Sequence, residues 1–245
     1  MKTLVIIPSR LSATRLPGKP LLKINNISII SHVFKRAVEA NIGEVIVAAE
    51  DQEIIEDVEK NGGNAILTGN NHKTGTDRIY EAFKKLNVND VDLIMNLQGD
   101  EPNIDINDII NLNNLMKSSR TNIGTLASKI ADDKIFNNEN VVKVITEIIL
   151  EDNNFPKALT FKRKISEIKN NIYHHLGIYC YSVEALKRFV NLQQSESEIK
   201  NRLEQLRALD NQQTINVALA NSSPIGVDTK EDYIAIKKIM EYKLK

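Results

Sequence analysis

Apolar runs alternate with amphipathic segments four times within the first 120 of the 245 residues. Two of these runs, at 4–7 and 45–49, contain no charged residue, which is typical of strands buried on both faces of a parallel sheet. Because strands that alternate with helices form parallel α/β sheets, we predict a doubly wound, mostly parallel, Rossmann-like sheet. The predicted strands lie at 4–7, 44–49, 64–67 and 91–97, and the predicted helices at 29–40, 51–60, 75–86 and 105–117.

Local signals define two of the predicted helices more closely. The segment at 29–40 has one apolar face, which is formed by Ile30, Val33, Phe34 and Val38. The segment at 75–86 opens at Gly75, and Thr76 has the side chain of a helix N-cap.

The pattern changes after residue 120. Strands are predicted at 123–130, 172–181 and 215–219, a hairpin at 141–150 and 158–162, and helices at 183–190, 199–209 and 231–242. We interpret this section as strands added to the sheet plus an inserted, smaller α+β subdomain suited to dimerisation. The sequence has no internal repeat and no linker rich in Pro, Gly or Ser, so we predict one compact unit over 1–245.

The charge balance and the apolar runs argue against several kinds of partner. Lys+Arg and Asp+Glu both number 32, so the formal net charge is zero, unlike that of a general nucleic-acid or anionic-membrane binder. No apolar run reaches the roughly 18 residues of a membrane span. The run at 4–7 is too short for a signal peptide, so we expect a cytoplasmic protein. The single cysteine, Cys180, allows no intrachain disulfide, and its position between two tyrosines predicts a small core residue.

Three cations lie in the loop after the first predicted strand. They are Arg10, Arg15 and Lys19, with Gly18 beside the last. The loop leaves the carboxyl end of that strand, which is where ligands bind in open α/β sheets. Cationic side chains and backbone N–H groups at this place suit a polyphosphate. The spacing differs from that of a Walker loop, and a solvated surface loop is the alternative interpretation.

Two acidic residues are candidates for a metal site. Asp100 follows the predicted strand at 91–97, and Asp228 follows a short apolar segment and a glycine. Mg²⁺ prefers one or two carboxylates together with substrate phosphates, so both side chains could bind one ion. The alternative is a local capping role: Asp100 could cap the following loop, and Asp228 or Thr229 could cap the last helix.

Other polar residues have two interpretations. Arg78 could reach a nucleotide, or it could lie on a solvated helix face. His174 and His175 have no cysteine or third histidine nearby, which favours a substrate hydrogen bond over a zinc site. Glu204 and Arg207 have the spacing of a surface pair on a helix. The motifs of serine hydrolases, zinc proteases and dinucleotide dehydrogenases are absent, so the cationic loop and two carboxylates predict nucleotidyl or phosphoryl transfer.

Longer motifs resemble a known family. They are IPSR at 7–10, TRLPGKP at 14–20, GTDR at 75–78, NLQGDEP at 96–102, HLGIY at 175–179, LEQLR at 203–207 and GVDT at 226–229. In this order, and over nearly the whole chain, they resemble the 3-deoxy-manno-octulosonate cytidylyltransferases, also called CMP-Kdo synthetases. The cationic loop marks only the wider sugar-nucleotidyltransferase superfamily, whereas the QGDEP, HLGIY and LEQLR segments are much more specific.

The resemblance implies a reaction and a set of site residues. CMP would be transferred from CTP to 3-deoxy-D-manno-octulosonate (Kdo) with release of diphosphate, for lipopolysaccharide assembly, by a cytoplasmic, Mg²⁺-dependent homodimer. Residues 1–120 would mainly bind the nucleotide, and residues from about 121 to 230 would mainly bind the sugar and form the dimer. The implied nucleotide-binding residues are Ser9, Arg10, Arg15, Lys19, Arg78 and Gln98. The implied metal ligands are Asp100 and Asp228, and the implied catalytic residues are Lys19, Asp100 and Asp228. The implied sugar-binding residues are Gln98, Arg163, His175, Tyr179 and Glu204.

The sequence departs from the family at three places. The segment after Arg163 lacks the usual proline, Lys230 stands where proline is common, and Glu50 stands where the family usually has aspartate. The alternative functions are a cytidylyltransferase for another sugar acid, such as a sialic acid or an amino-Kdo, and a catalytically silent nucleotide-binding regulator. The presence of both carboxylates and all three loop cations argues against a silent protein.

Overall fold

The structure is a computed structural model that describes residues 1–12, 15–130, 132, 136–165 and 169–242. The strands are β1 (Thr3–Ser9), β2 (Lys23–Ile24), β3 (Ile27–Ser28), β4 (Gly43–Ala49), β5 (Ala65–Leu67), β6 (Leu93–Asn96), β7 (Ile123–Ser128), β8 (Lys143–Thr146), β9 (Ala158–Lys162), β10 (Ile172–Ser182) and β11 (Ile215–Leu219). The main helices are α1 (Ile29–Glu39), α2 (Gln52–Lys60), α3 (Gly75–Leu86), α4 (Ile106–Ser119), α5 (Val183–Val190), α6 (Glu196–Asn201), α7 (Leu206–Asp210) and α8 (Lys230–Tyr242). The chain forms two compact units, one from Met1–Ile110 with Pro224–Lys245 and the other from Asn111–Ser223.

The first unit is built on parallel strands. β1 pairs in parallel with both β4 and β6, and β4 pairs in parallel with β5. Leu4, Val5, Ile6 and Ile7 are all buried, although neighbouring side chains of a strand point to opposite faces. Helices α1, α2 and α3 contact these strands. The predicted α/β architecture with a mostly parallel sheet is therefore confirmed.

Helix α1 buries a slightly different face from the predicted one. Ile30, Val33 and Phe34 are buried, but Val38 is 50% exposed, so its place on the buried apolar face was wrong. Ala37 is buried in its place because it lies seven residues after Ile30 and completes the i, i+3, i+4, i+7 face.

Helix α3 takes its N-cap from a different threonine. The hydroxyl of Thr74 accepts a hydrogen bond from the backbone N–H of Asp77 at 3.2 Å. The prediction of Thr76 as the cap was wrong, since Thr76 lies buried within the first turn. Either threonine could cap a helix by type, and the choice depends on where the chain becomes helical.

The second unit contains antiparallel strand pairs of the large sheet, whereas the short β2–β3 pair of the first unit forms a separate antiparallel sheet. β7 pairs in parallel with β11 and antiparallel with β10, and β8 pairs antiparallel with β10 and β9. The predicted hairpin is confirmed, although its first strand is shorter than predicted. Cys180 lies on β10 and is fully buried, and this burial raises the pKa of its thiol to about 12. The prediction of a core cysteine is confirmed.

The single helix predicted at 199–209 was wrong. The structure has two short helices there, α6 and α7, separated by a turn at Arg202. Arg202 has a φ of 53°, in the left-handed region that ends helices. Arginine rarely adopts this conformation, so nothing in the residue type indicated the break.

Candidate active site

A cleft of about 360 Å³ lies in the first unit. Eight of the predicted site residues line it: Ser9, Arg10, Arg15, Lys19, Arg78, Gln98, Asp100 and Asp228. The cleft is at the carboxyl ends of strands, because Ser9 ends β1 and Gln98 follows the end of β6. The structure thus brings the predicted nucleotide and metal residues together.

The ammonium group of Lys19 lies between two carboxylates. Its Nζ is 2.5 Å from Asp100 Oδ2 and 3.1 Å from Asp228 Oδ1. Burial would lower the pKa of Lys19, but the charges of both aspartates and the hydrogen bonds to them outweigh burial and raise that pKa. The backbone N–H of Val227 donates to the carbonyl of Asp100 at 2.9 Å, which holds the two acidic segments side by side.

Helix α8 takes its cap from Thr229 and not from Asp228. Thr229 Oγ1 accepts a hydrogen bond from the N–H of Asp232 at 3.2 Å, and Asp232 Oδ2 accepts one from the N–H of Thr229 at 2.8 Å. The carboxylate of Asp228 instead pairs with Arg15 at 2.8 Å, in addition to Lys19. Of the two residues predicted as possible caps of this helix, Thr229 is confirmed and Asp228 was wrong.

Two glycines shape the backbone of the cleft. Gly18 has a φ of 71°, and its N–H donates to the carbonyl of Leu11 at 3.0 Å, which closes the cationic loop. At Gly99, a Cβ would lie 2.9 Å from the carbonyl oxygen of Pro8. Only glycine therefore allows the segment before Asp100 to pass this close to the end of β1.

Basic side chains outnumber acidic ones around the cleft. Five lining residues are basic, namely Arg10, Arg15, Lys19, Lys73 and Arg78, and two are acidic, namely Asp100 and Asp228. A local surplus of positive charge of this kind complements a polyphosphate. Lys73 was not predicted, and its only signal in the sequence was its position just before the GTDR motif.

Arg78 reaches the cleft from a buried position. Its side chain is 3% exposed, and its Nη2 contacts Oε2 of Glu50. Nη1 donates to Thr68 Oγ1 at 2.7 Å and to the carbonyl of Gly69 at 3.1 Å. The interpretation of Arg78 as part of a solvated helix face was wrong, because a guanidinium this deep requires the charged partner that Glu50 supplies.

Two buried oxygens, one on a residue that lines the cleft and one on the residue after Asp100, have no hydrogen-bond partner within the described part of the chain. They are Ser9 Oγ and Glu101 Oε2. Burial raises the pKa of Glu101 to about 8, and the charges of Asp100 and Asp228 add to this effect. The sequence analysis missed Glu101, because only the packed structure shows that its carboxyl group is buried. Ser9 lines the cleft, so a ligand could satisfy its hydroxyl group.

Three of the predicted sugar-binding residues lie close together in the second unit. The rings of His175 and Tyr179 are 5.5 Å apart, and His175 Nε2 is 3.1 Å from Thr125 Oγ1. Burial raises the pKa of Tyr179 well above its usual value, with smaller contributions from Tyr181 and from the carboxylate of Glu204. The charge of Glu204 therefore acts on the hydroxyl group of Tyr179.

Arg163 is engaged with backbone carbonyl groups. Its Nε donates to Asn201 O at 3.1 Å, Nη1 to Glu139 O at 3.2 Å and Nη2 to Arg202 O at 3.1 Å. These bonds hold the end of α6, just before Glu204 in the chain. The contribution of Arg163 to sugar binding stays a prediction.

Arg207 is not the surface residue that was predicted. Its side chain is 4% exposed, and it forms a bidentate ion pair with Glu198, with N–O distances of 2.8 and 2.6 Å. Glu204 Oε1 lies 3.9 Å from Arg207 Nη2. The predicted i, i+3 pair of Glu204 and Arg207 is thus present, but its location at the surface was wrong, because Arg207 is buried against Glu198.

We expect the imidazole of His175 to stay neutral throughout the physiological pH range. Burial, with a smaller contribution from His174, lowers the pKa of His175 to about 3. Proton NMR should therefore show a constant His175 ring shift between about pH 5.5 and 8, where an unperturbed histidine titrates near 6.5. The unfolded chain binds this proton below about pH 6.5 and the folded chain does not, so the free energy of unfolding should decrease as pH falls through this range.

The ring signal of His175 is identified by comparison with the His175→Gln variant, whose spectrum lacks that signal. A His175 signal that moves with a midpoint near its ordinary value of about 6.5 would contradict the expected burial.

The cleft suits a divalent cation whose remaining ligands come from a bound substrate. Within the described ranges, no group of three or more His, Cys, Asp or Glu side chains is placed to hold a metal ion. However, two carboxylates converge on one cation, the ammonium of Lys19. Mg²⁺ at phosphate-transfer sites uses one or two carboxylates and takes its remaining ligands from substrate phosphates and water. The donor set of Asp100 and Asp228 fits that requirement.

Comparison with known sequences gives the family. The Cytidylyltransferase family model matches residues 4–215. The 3-deoxy-manno-octulosonate cytidylyltransferase of Thermodesulfovibrio yellowstonii is 42% identical over an alignment of 257 positions, and this alignment covers 98% of each chain. The chain belongs to the 3-deoxy-manno-octulosonate cytidylyltransferase family. The Bartonella bacilliformis member is 38% identical over 242 residues, which cover 98% of this chain and 99% of that one. As a cytidylyltransferase, the protein is a nucleotidyltransferase enzyme.

Solved structures agree with this family. The structure of CMP:2-keto-3-deoxy-manno-octonic acid synthetase complexed with CTP has a TM-score of 0.89 and 33% identity, and the match covers 99% of this cytidylyltransferase and 100% of that chain. An apo UDP-glucose pyrophosphorylase has a TM-score of 0.76 at 12% identity over the full length of both chains, which shows the shared fold alone. The family resemblance read from the motifs is confirmed.

Proposed function

We propose that this cytidylyltransferase transfers CMP from CTP to Kdo, giving CMP-Kdo and diphosphate, and so activates Kdo for lipopolysaccharide biosynthesis. The observation that carries the proposal is the cation of Lys19 held between Asp100 and Asp228 in a basic cleft. Family membership supports the choice of substrates, because the similar proteins are named for this activity.

The proposed reaction is an in-line displacement at the α-phosphorus of CTP. The anomeric hydroxyl group of Kdo loses its proton and forms the new P–O bond, while the bond to the departing diphosphate breaks. Negative phosphate oxygens repel the nucleophile, so positioning and charge neutralisation supply most of the catalysis. Lys19 and Arg15 would offset the charge of the departing diphosphate, and Arg10 would bind the triphosphate. Ser9, Arg78 and Gln98 would orient the nucleotide.

Mg²⁺ is part of the proposal. Asp100 and Asp228 would hold the ion, which when bound supplies Lewis-acid charge to the α-phosphate and lowers the pKa of the attacking hydroxyl group. The pairing of both carboxylates with one ammonium supports this role, since the arrangement already accommodates a cation.

The proposed sugar-acid contacts use neutral donors and a carboxylate. His175 has its pKa lowered and Tyr179 has its pKa raised, so both rings are uncharged hydrogen-bonding groups at neutral pH. Glu204, whose charge acts on Tyr179, would accept hydrogen bonds from sugar hydroxyl groups. Gln98 would contact the sugar as well as the nucleotide. Arg163 would contribute to sugar binding by holding the segment that leads to Glu204, through its contacts with Asn201 and Arg202.

The proposed location is the cytoplasm, where CTP is made. Among the residues that the structure describes, no helix combines the length and the apolar character needed to cross a membrane.

The proposed assembly is a homodimer formed through the β8–β9 hairpin region. Ile148, Ile149 and Leu159 are each more than half exposed there, and such a group of large apolar side chains favours a protein interface. The Leu159→Glu variant should therefore shift the mass in light scattering from twice 27.6 kDa toward 27.6 kDa. Leu67→Glu is the matched control, because Leu67 is 48% exposed on β5 of the first unit. A Leu159→Glu variant that keeps the dimer mass would contradict this interface.

A diphosphate-release assay tests the function. The purified protein is incubated with CTP, Mg²⁺ and one of several 2-keto sugar acids, including Kdo, an amino-Kdo and a sialic acid. Release with Kdo in clear preference to the others is the expected result. Preference for another acid would assign the enzyme to that substrate, and CTP binding without release for any acid would indicate a nucleotide-binding regulator.

A further inference from the structure

We infer that Glu50 is a positioning residue that sets the orientation of Arg78 and ties it to the cationic loop. This inference rests on the proposed function, since it concerns how the same cleft holds CTP. Glu50 does not line the cleft itself, and it lies one residue beyond the end of β4.

The carboxylate of Glu50 joins two parts of the cleft. Its Oε2 contacts Nη2 of Arg78, and its Oε1 accepts a hydrogen bond from the hydroxyl of Ser12 at 3.1 Å. Arg78 belongs to α3, whereas Ser12 belongs to the loop that carries Arg10, Arg15 and Lys19. One side chain therefore links the helix and the loop that supply the basic groups.

The adjacent residue adds a second link to the same loop. Asp51 Oδ2 accepts a hydrogen bond from the backbone N–H of Leu11 at 2.7 Å. Asp51 stands at the N-cap of α2, but its side chain makes no capping hydrogen bond there. Two successive carboxylates at the end of β4 thus hold two successive residues of the loop.

The pairing also determines how Arg78 can act. The charge of Glu50 balances the charge of Arg78, and both side chains are at most 10% exposed. Thr68 and Gly69 accept hydrogen bonds from Nη1 and Glu50 contacts Nη2, so the guanidinium plane is held in one orientation only when all three partners are present. Arg78 would therefore serve CTP as an oriented hydrogen-bond donor, with its direction set by Glu50. Loss of Glu50 should weaken CTP binding through misorientation of Arg78 and of the loop.

A double-mutant cycle on CTP affinity tests this inference. Calorimetry with CTP is carried out on the wild type, Glu50→Gln, Arg78→Gln and the double variant. We expect Glu50→Gln to weaken CTP binding on the order of tenfold, as for a lost bond to a charged group, with the KM for Kdo unchanged. In the Arg78→Gln background, Glu50→Gln should have little further effect, because the two residues act as one unit. Glu53→Gln is the matched control, since Glu53 is an exposed glutamate three residues away.

Each outcome decides the inference. Unchanged CTP affinity in a folded Glu50→Gln variant, or a full additive loss in the double variant, would overturn it. If Glu50→Gln does not fold, the Ser12→Ala variant provides the test, because it keeps the ion pair of Glu50 with Arg78 but removes the link to the loop. Weaker CTP binding by Ser12→Ala supports the inference, and unchanged CTP binding overturns it. A wild-type protein that neither binds CTP nor releases diphosphate would instead remove the proposed function.

Discussion

The Asp100→Asn variant is expected to lose at least about 100-fold in turnover, the size of effect seen when one preorganised electrostatic group is removed from an active site. Asparagine has nearly the same shape as aspartate but carries no charge. The variant would therefore lose the carboxylate that lies 2.5 Å from Lys19 and that we assign to Mg²⁺. Turnover is measured by diphosphate release at saturating CTP, Kdo and Mg²⁺.

The fold of this variant should be unaffected. The hydrogen bond from Val227 to Asp100 uses the backbone carbonyl, and Lys19 keeps Asp228 as a partner at 3.1 Å. Circular dichroism and the unfolding temperature should therefore match the wild type. Asp90→Asn is the control, because Asp90 is an exposed carboxylate whose side chain pairs with Lys2 at the surface. Near-normal turnover of Asp100→Asn at saturating Mg²⁺ would rule out the assigned metal role.

The Lys19→Met variant is expected to lose turnover while gaining affinity for a divalent cation. Methionine keeps most of the unbranched stem of the side chain but removes the ammonium that would offset charge on the diphosphate, so turnover should again fall by at least about 100-fold. In the absence of nucleotide, that ammonium occupies the space between Asp100 and Asp228. Without it the two carboxylates repel each other and attract a cation more strongly.

Mn²⁺ binding measured by electron paramagnetic resonance, without nucleotide, separates the two effects. We expect several-fold tighter Mn²⁺ binding for Lys19→Met than for the wild type. The wild type should gain Mn²⁺ affinity when CTP is added, because the triphosphate offers Lys19 another partner. Lys23→Met, which changes an exposed lysine close by in the chain, should alter neither turnover nor Mn²⁺ binding. Unchanged Mn²⁺ affinity in Lys19→Met would show that the ammonium and the metal do not share this space.

Much of the fold could be predicted because its signals are local. The uncharged runs at 4–7 and 45–49 predict buried strands wherever they lie in the sheet, and they form β1 and β4. Errors arose where one residue decides between two local outcomes. Thr74 and Thr76 both have capping side chains, and the left-handed turn at Arg202 gives no sign in the residue type.

The sequence predicted which residues form the candidate site more fully than it predicted which of their side chains contact each other. Motif positions indicated Lys19, Asp100 and Asp228, and the structure places all three at one cleft. The partners of buried charges were missed, because they come from distant parts of the sequence. Arg78 meets Glu50 across 28 positions, and no pattern of spacing connects the two.

The sequence by itself determined the order of strands and helices, the family and the charged residues at the carboxyl ends of the strands. Those properties depend on the local pattern of polar and apolar residues and on short motifs. Only the tertiary structure decided which charged side chains pair with each other. Lys19 lies 81 positions from Asp100 and 209 positions from Asp228. The parallel pairing of β1 with β6 and the hydrogen bond from Val227 to Asp100 bring the three together. The same packing buries Glu101 and Arg78, because removal from water depends on neighbours in space and not in sequence.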